Sequence, residues 1–521
     1  MISVQRRSFL ASTTAGLGLA GLLRAIGPLS AAELAVGPGM ARFSDEIEPL
    51  VRFLEDTPQD KVIEQTAQKI KAGLSYRQLL AALLLAGVRN VQPRPSVGFK
   101  FHAVLVVNSA HLASLSGLDE ERWLPILWAV DNFKSSQSRD EKEGNWTLPA
   151  VDEGALPSPG NCVADLRRAL EQWDESAADA AITSVVRELG ANQVFELLAE
   201  FAARDFRSIG HKVIYLSNAF RTLQTTGWEY TEPVARSLVY AMLNHTGEPN
   251  PAESELAADA SGRMNWDRID SIERFQNAPH GDGKHSHDDG ATLELVETLH
   301  SGSADEASSQ VVALLNSGVA AQAIWDGLFA SSGELLMRQP GIVALHSVTT
   351  TNAMRYAFAT SAQESTRKFM LLQNASFLSH FREAAEQRGK LRDARITDFA
   401  NSAGASVPSK ASAEHAPSAT SMAVADAFDA MGSSRQQAAQ QAFDYLSAGG
   451  DPQNIVDHAR RLVFLKGNDS HDYKFSSAAL EDYRSLSPVW AKWFLSASMF
   501  QLCGPHEPTR PLVERITEAI G

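Results

Sequence analysis

One kind of segment recurs four times along this chain: a helix-like stretch led by a histidine. The four are FHAVLVVNSAHLAS, GHKVIYLSNAFRTL, LHSVTTTNAMRYAF and SHDYKFSSAALEDY, led by His102, His211, His346 and His471. A glycine and an amphipathic helix precede each, the glycines being Gly73, Gly190, Gly318 and Gly449, which stand 29, 21, 28 and 22 residues before the histidine. Self-similarity in fixed order is the signature of a repeated structural unit, and it constrains the fold more than any local propensity does. The approach from Lys71 (KAGLSYRQLLAALLLAGVRNVQPRPSVGFKFHAVLVVNSA) aligns with that from Asn316 (NSGVAAQAIWDGLFASSGELLMRQPGIVALHSVTTTNA) with a one-residue gap, 244 to 245 residues apart. The units beginning RELGANQVFELLAEF and SAGGDPQNIVDHARR keep the same order with looser similarity. Steps of 109, 135 and 125 residues between histidines leave room for several helices per unit.

Around these segments the period is 3.6 residues and strand signals are scarce. Amphipathic helices are expected over 45–54, 61–70, 76–88, 120–130, 163–173, 177–189 and 194–203, and again over 293–299, 309–315, 323–336, 366–385, 434–446 and 455–465. The expected fold is all-α, with four degenerate multi-helix repeats in two halves, 33–246 and 291–521, packed as a helical bundle or toroid. An acidic, loop-rich connection over 247–290 joins the halves. Glycine, proline and charge mark 135–160 as a long loop, and SVPSKASAEHAPSATS places a flexible linker at 402–421.

Residues 1–32 read as an address. RRSFL from Arg6 precedes a weakly apolar, glycine-rich stretch, and Ser30-Ala31-Ala32 suits cleavage. Paired arginines and low hydrophobicity point to a twin-arginine export signal, with a general secretory signal as the alternative. The expected location is periplasmic or otherwise exported. Removing three arginines and no acids takes the net charge of the 521-residue chain from −15 to −18. An acidic chain with no basic stripe argues against a nucleic-acid partner. The longest apolar run, Leu79 to Val88, falls short of the roughly 18 residues of a membrane span and reads as a core helix. The two cysteines, Cys162 and Cys503, lie in no CxxC pattern, and a bridge and two free thiols are both open.

Helix geometry gives the histidines a chemical reading. Seven residues return within about 20° of the same helix face. At that distance from the four histidines stand Ser109, Asn218, Ala353 and Ala478, all modest in size, leaving room beside each ring for a helix or a cofactor. A polar residue recurs one position earlier: Asn108, Ser217, Asn352 and Ser477. Mid-helix asparagines in an apolar setting must find hydrogen-bond partners. Asn108, Asn218 and Asn352 are therefore the candidate cofactor-binding residues. Imidazole is the commonest transition-metal ligand, and helices of a bundle can aim such ligands inward. His102, His211, His346 and His471 are the candidate metal ligands. The expected cofactor is a transition metal, iron foremost, or non-covalent haem. Asp469, Asp472, Asp326 and Asp457 are candidate outer partners for the rings. The competing reading is architectural: repeats reuse packing residues, and a histidine at a helix start often only satisfies backbone groups.

Other features carry less. His280, His285, His287, Asp288 and Asp289 cluster in a glycine-rich stretch better read as a solvated loop. His111 and His458 read as satisfied core or surface residues. The lone GxGxxG, Gly16 to Gly21, lies inside the export signal; no P-loop, HExxH or GxSxG is present, and only one ExxH occurs, Glu297 to His300. Trp123, Trp128, Trp146, Trp325, Trp490 and Trp493 read as core or interface aromatics.

GHKVIYLSNAFRTL and ALHSVTTTNAMRYAF resemble the histidine-led helices of the questin oxidase-like family. His211 and His346 are the matching positions; His102 and His471 follow by internal repetition. The resemblance covers less than half of the chain, and it implies a redox enzyme on an all-α fold, in a family associated with oxygen insertion into aromatic polyketides. The export signal departs from that family and leaves substrate and electron donor open. Together these readings favour an exported metal- or haem-dependent oxidoreductase acting on a small molecule, with a redox protein as partner. The rival is a non-catalytic helical-repeat binding or scaffold protein.

Overall fold

The helix-dominated pattern is realised throughout. The structure, a computed structural model, describes residues 37, 39–93, 99–115, 121–243, 249–276, 288–402, 417–467 and 469–521. Among these residues it contains 23 α-helices and no strand, only an isolated bridge between Met40 and Pro149. The expected export signal and His280, His285 and His287 lie outside the described residues.

Local chemistry places the helix ends. Ser75 caps Tyr76–Asn90 through Gln78 in a reciprocal capping box, and Ser303 does the same for Ala304–Ser317 through Glu306. Pro452, Pro488 and Pro511 open their helices, where the missing N–H costs nothing. Gly73, Gly318 and Gly449 sit at positive φ just past helix ends. Gly190 differs: it is an N-cap in extended conformation, so it matches Ser75, Ala320 and Asp451 rather than the other glycines. Measured from these four N-caps, the histidines follow at 27, 21, 26 and 20 residues.

Three loop expectations need correction. Leu124–Glu143 takes in 135–143, the first part of the expected 135–160 loop, because its lysines, glutamates and arginine form helix well and Ser136, Gln137 and Asp140 are buried on one face. The helix stops at Gly144, with φ 138°. Ala257–Arg268 forms within the expected connection, its Asn265 bonded to Gln373 and Ser376 at 2.8 and 2.9 Å. Pro417–Asp429 begins inside the expected linker.

The histidine helices form the inner layer. His102–Ser114, His211–Thr226, Ile342–Thr360 and Ser470–Asp482 are buried on nearly every side. Each packs against the helix before it: Tyr76–Asn90, Ala191–Ala203, Ala321–Arg338 and Pro452–Lys466 respectively. They also pack against one another as a closed ring in chain order, 102 on 211, 211 on 346, 346 on 471 and 471 on 102. Amphipathic helices wrap outside, and the apolar residues of both halves make one continuous cluster. Leu79 to Val88 is a fully buried helix in that cluster. No helix among the described residues is long and apolar enough to cross a membrane. Both cysteines are free and buried, so the bridge is not formed.

Candidate metal centre

Each seam of the inner ring is pinned by a residue six or seven places past a histidine, or by its partner. Asn218 Nδ2 donates to the Leu105 carbonyl at 3.0 Å, and Ser217 Oγ donates to the Ala353 carbonyl at 2.9 Å. Asn352 Nδ2 donates to Asp482 at 2.7 Å, and Ser477 Oγ donates to Ser109 Oγ at 2.9 Å. The recurring polar position therefore closes the bundle. These bonds bring the four helix starts together, and the imidazoles meet there. Ring centroids lie 5.0 Å apart for His102–His211, 4.6 Å for His211–His346, 5.3 Å for His346–His471 and 4.6 Å for His471–His102.

His102, His211 and His346 meet through Nε2. His211 Nε2 is 3.3 Å from His102 Nε2 and 3.1 Å from His346 Nε2. One nitrogen from each of His102, His346 and His471 lies within 4.8 Å of the others. The outer nitrogens are tied down: His211 Nδ1 meets the Ser208 carbonyl at 2.5 Å, and His346 Nδ1 meets the Ile342 carbonyl at 2.6 Å. A carbonyl has no proton to give, so Nδ1 carries the proton and Nε2 presents a lone pair to the centre. His471 Nδ1 lies 3.3 Å from Asp469 Oδ1, which also accepts from the His471 backbone N–H. That arrangement, a carbonyl or carboxylate behind the rings of His211, His346 and His471, is the usual outer support of a metal-binding imidazole.

The turn that sets His211 is strained. Ser208, Ile209 and Gly210 all take positive φ, 58°, 46° and 78°, which β-branched isoleucine rarely adopts. The left-handed turn aims the Ser208 carbonyl back at the ring. Gly210 is needed twice, since a Cβ there would overlap the Thr350 side chain on the His346 helix.

Burial pushes the pKa values of His102, His211 and His346 well below the ordinary histidine value, with the Lys474 charge acting in the same direction. These three rings are thus neutral near pH 7. Lys474 stands one turn past His471 and is 2 % exposed. Burial brings its pKa down to about 7, and its Nζ has no hydrogen-bond partner. The sequence reading missed this residue: its segment, SHDYKFSSAALEDY, is polar enough that a lysine at i+3 reads as exposed.

A narrow cavity lies beside the ring, with room for about one water. Asn108, Asn218 and Asn352 all line it, together with Arg221, Lys474 and Glu481. The amides of Asn218 and Asn352 are committed to the protein: Asn352 also accepts from Arg221 at 2.9 Å and donates to Glu481 at 3.0 Å. Of the residues seven past the histidines, Asn218 and Ala478 border the cavity. Ser109 and Ala353 instead meet the neighbouring helix.

The remaining candidates stand elsewhere. Asp472 joins Asp469 in capping its helix, whereas Asp326 accepts from the Ser487 backbone N–H at 3.0 Å and Asp457 from Gln453 at 2.6 Å. His111 bonds Tyr76 at 3.0 Å and Thr225 at 3.2 Å, and His458 packs on Phe428. His300 pairs with Glu334, not Glu297. Trp325 and Trp490 are buried, and Trp128 stacks on Tyr473 with 4.0 Å between centroids. Comparison with family models, with curated proteins and with solved structures finds no match for this chain.

Proposed function

We propose that His102, His211, His346 and His471 bind one transition-metal ion and that the protein is an exported, metal-dependent oxidoreductase acting on a small molecule. One observation carries this reading. The Nε2 lone pairs of His211 and His346 face each other at 3.1 Å with both protons held on the far nitrogens. Two such lone pairs repel, and a cation between them removes the repulsion. The 3.1 and 3.3 Å contacts of His211 match the roughly 3.3 Å between neighbouring ligands of an ion with metal–nitrogen bonds of about 2.0–2.1 Å. His102, His346 and His471 form the group whose nitrogens all lie within 4.8 Å of one another, His211 standing outside it.

Neutral imidazoles serve iron, copper, zinc and nickel, with iron the ion first expected here. The 4.6 to 5.3 Å spacing of the rings favours a bare ion over haem, whose macrocycle would have to pass between them. A redox-active ion, when bound, supplies one-electron chemistry. The chain's own part is to hold the four nitrogens in place, keep bulk water out through the buried inner layer, and leave the Lys474 side chain beside the ring. The resemblance to questin oxidase-like proteins supports a redox role, and the twin-arginine leader suits a protein exported after its metal is in place. The acidic charge supports a small-molecule substrate and a redox partner protein over nucleic acid. The small cavity favours the second reading, a metal-holding, non-catalytic helical binding protein, because no aromatic substrate fits it as it stands.

Metal analysis after reconstitution with Fe(II), Cu(II) or Zn(II) tests the centre. About one ion per chain is expected, dropping below a tenth in His346→Ala and unchanged in His458→Ala. Equal retention by both variants, or none by the parent protein, would sink the proposal. A bound ion that cannot be cycled by dithionite and ferricyanide would leave the binding-protein reading standing and remove the oxidoreductase.

A further inference from the structure

The two ends of the histidine ring differ. The narrow cavity lies beyond the ring along the inner helices, bordered by residues three to ten places past the histidines. It holds about one water, too little for a hydrated cation, and two residues of its lining, Arg221 and Glu481, pair at 3.0 Å. The end at the helix starts is different. There His102, His211 and His346 are 4, 4 and 1 % exposed, whereas the His471 side chain is 22 % exposed. His471 is also the ring held least tightly. Its Nδ1 lies 3.3 Å from Asp469, against 2.5 and 2.6 Å for the carbonyl contacts of His211 and His346. Its 5.3 Å spacing to His346 is the widest between neighbouring rings. Three inner helices, His102–Ser114, His211–Thr226 and Ser470–Asp482, begin at the ring, so their positive ends converge there and oppose an approaching cation. One carboxylate offsets them. Asp469, the N-cap of Ser470–Asp482, accepts from the His471 backbone N–H at 2.7 Å, and its side chain is 59 % exposed. It stands in solvent beside the one exposed imidazole of the ring.

We infer that the ring is entered at the helix starts, past His471, and that the Asp469 carboxylate is the first contact of an incoming divalent metal ion. Asp469 displaces a water from the hydrated ion and holds it beside the ring. The loosely held His471 swings aside to admit it and then closes on it, while the buried rings of His102, His211 and His346 stay fixed. The remaining waters leave outward. No proton has to leave His211 or His346, because Nδ1 of each already carries it. Asp469 is thus a positioning residue for loading. This route rests on the metal-centre reading, whereas the exposure of His471 does not.

The test has two arms, both on the full chain stripped of metal by chelator. In the first, diethyl pyrocarbonate labels the metal-free protein and peptide mass spectrometry locates the label. His471 should be modified while His102, His211 and His346 are spared; labelling of any of those three ahead of His471 would overturn the inference. In the second, uptake of Co(II) is followed by its visible absorption after rapid mixing. Asp469→Asn, which keeps a capping side chain, should slow uptake by about tenfold at low salt and leave the final occupancy unchanged. The difference should shrink in high salt. Asp457→Asn, whose carboxylate bonds Gln453, should load at the parent rate. Equal rates for the parent and Asp469→Asn, in a chain that does fill with cobalt, would reject the route and leave the metal centre standing. A chain that takes up no cobalt would reject both.

Discussion

Lys212 and Lys474 both ride on histidine helices, one residue past His211 and three past His471, and both are almost completely buried. Lys212 Nζ meets the two oxygens of Asp205 at 2.9 and 2.8 Å. Lys474 Nζ meets none. The same contrast separates Lys474 from Arg89, whose guanidinium is buried against Glu55 and Glu48 at 2.7 Å each. Around the centre, then, this fold pairs its buried charges, and beside the four imidazoles it leaves one lysine without a hydrogen-bond partner. A structural charge is compensated inside the chain. A lysine left without an acceptor beside a cluster of inward lone pairs instead has its pKa brought down by burial to about 7.

The comparison can be broken by removing each lysine. Lys212→Met leaves Asp205 buried without its hydrogen-bonded partner, and a loss of about 3–5 kcal/mol in urea unfolding is expected. If that variant is as stable as the parent, the pairing is ornamental and the contrast fails. The next effect is one of pH. The unfolded chain takes up protons on His102, His211 and His346 near pH 6.5, whereas their folded-state values lie well below it. The unfolded state binds more protons as pH falls through that window, so metal-free protein should lose stability from pH 7 downward. The slope should be at most about 1.4 kcal/mol per pH unit for each histidine that stays neutral. A flat denaturation midpoint between pH 7 and 5 would contradict the burial of the rings. The smallest change is expected of Lys474→Met. Replacing an unpartnered ammonium by an apolar chain of similar shape should be neutral or stabilising, by about 1–3 kcal/mol. A loss instead of a gain would mean that the lysine has a structural partner after all.

Much of the architecture was legible because its causes are local. Ser75, Ser303, Pro452 and Pro488 mark helix starts through capping and fixed φ, and the 3.6-residue period marks the faces they bury. The four histidine-led segments were visible as a pattern, and the small or polar residues six and seven places on were visible as a second one. Their use was not. Asn218 and Asn352 were read as cofactor residues, yet their amides pin helix seams, which depends on carbonyls and carboxylates more than a hundred residues away in the chain. Gly190 was aligned with the wrong glycines because composition cannot distinguish an N-cap from a positive-φ turn. Charge misled over 135–143: a polar run reads as loop until Asp140 is seen to accept from the Gln92 and Trp146 backbone N–H groups at 2.9 and 2.7 Å.

By itself the sequence determined that this chain is helical, that one histidine-led element recurs, and that its faces are apolar enough to lie inside. Hydrogen bonding within four residues and a repeating hydrophobic stripe suffice for that. Only tertiary structure decided that the four imidazoles meet, that the protons of His211 and His346 point outward, and that Lys474 is left without a partner. Those facts arise where segments 109, 135 and 125 residues apart pack side by side, and no local periodicity encodes which nitrogen will face which.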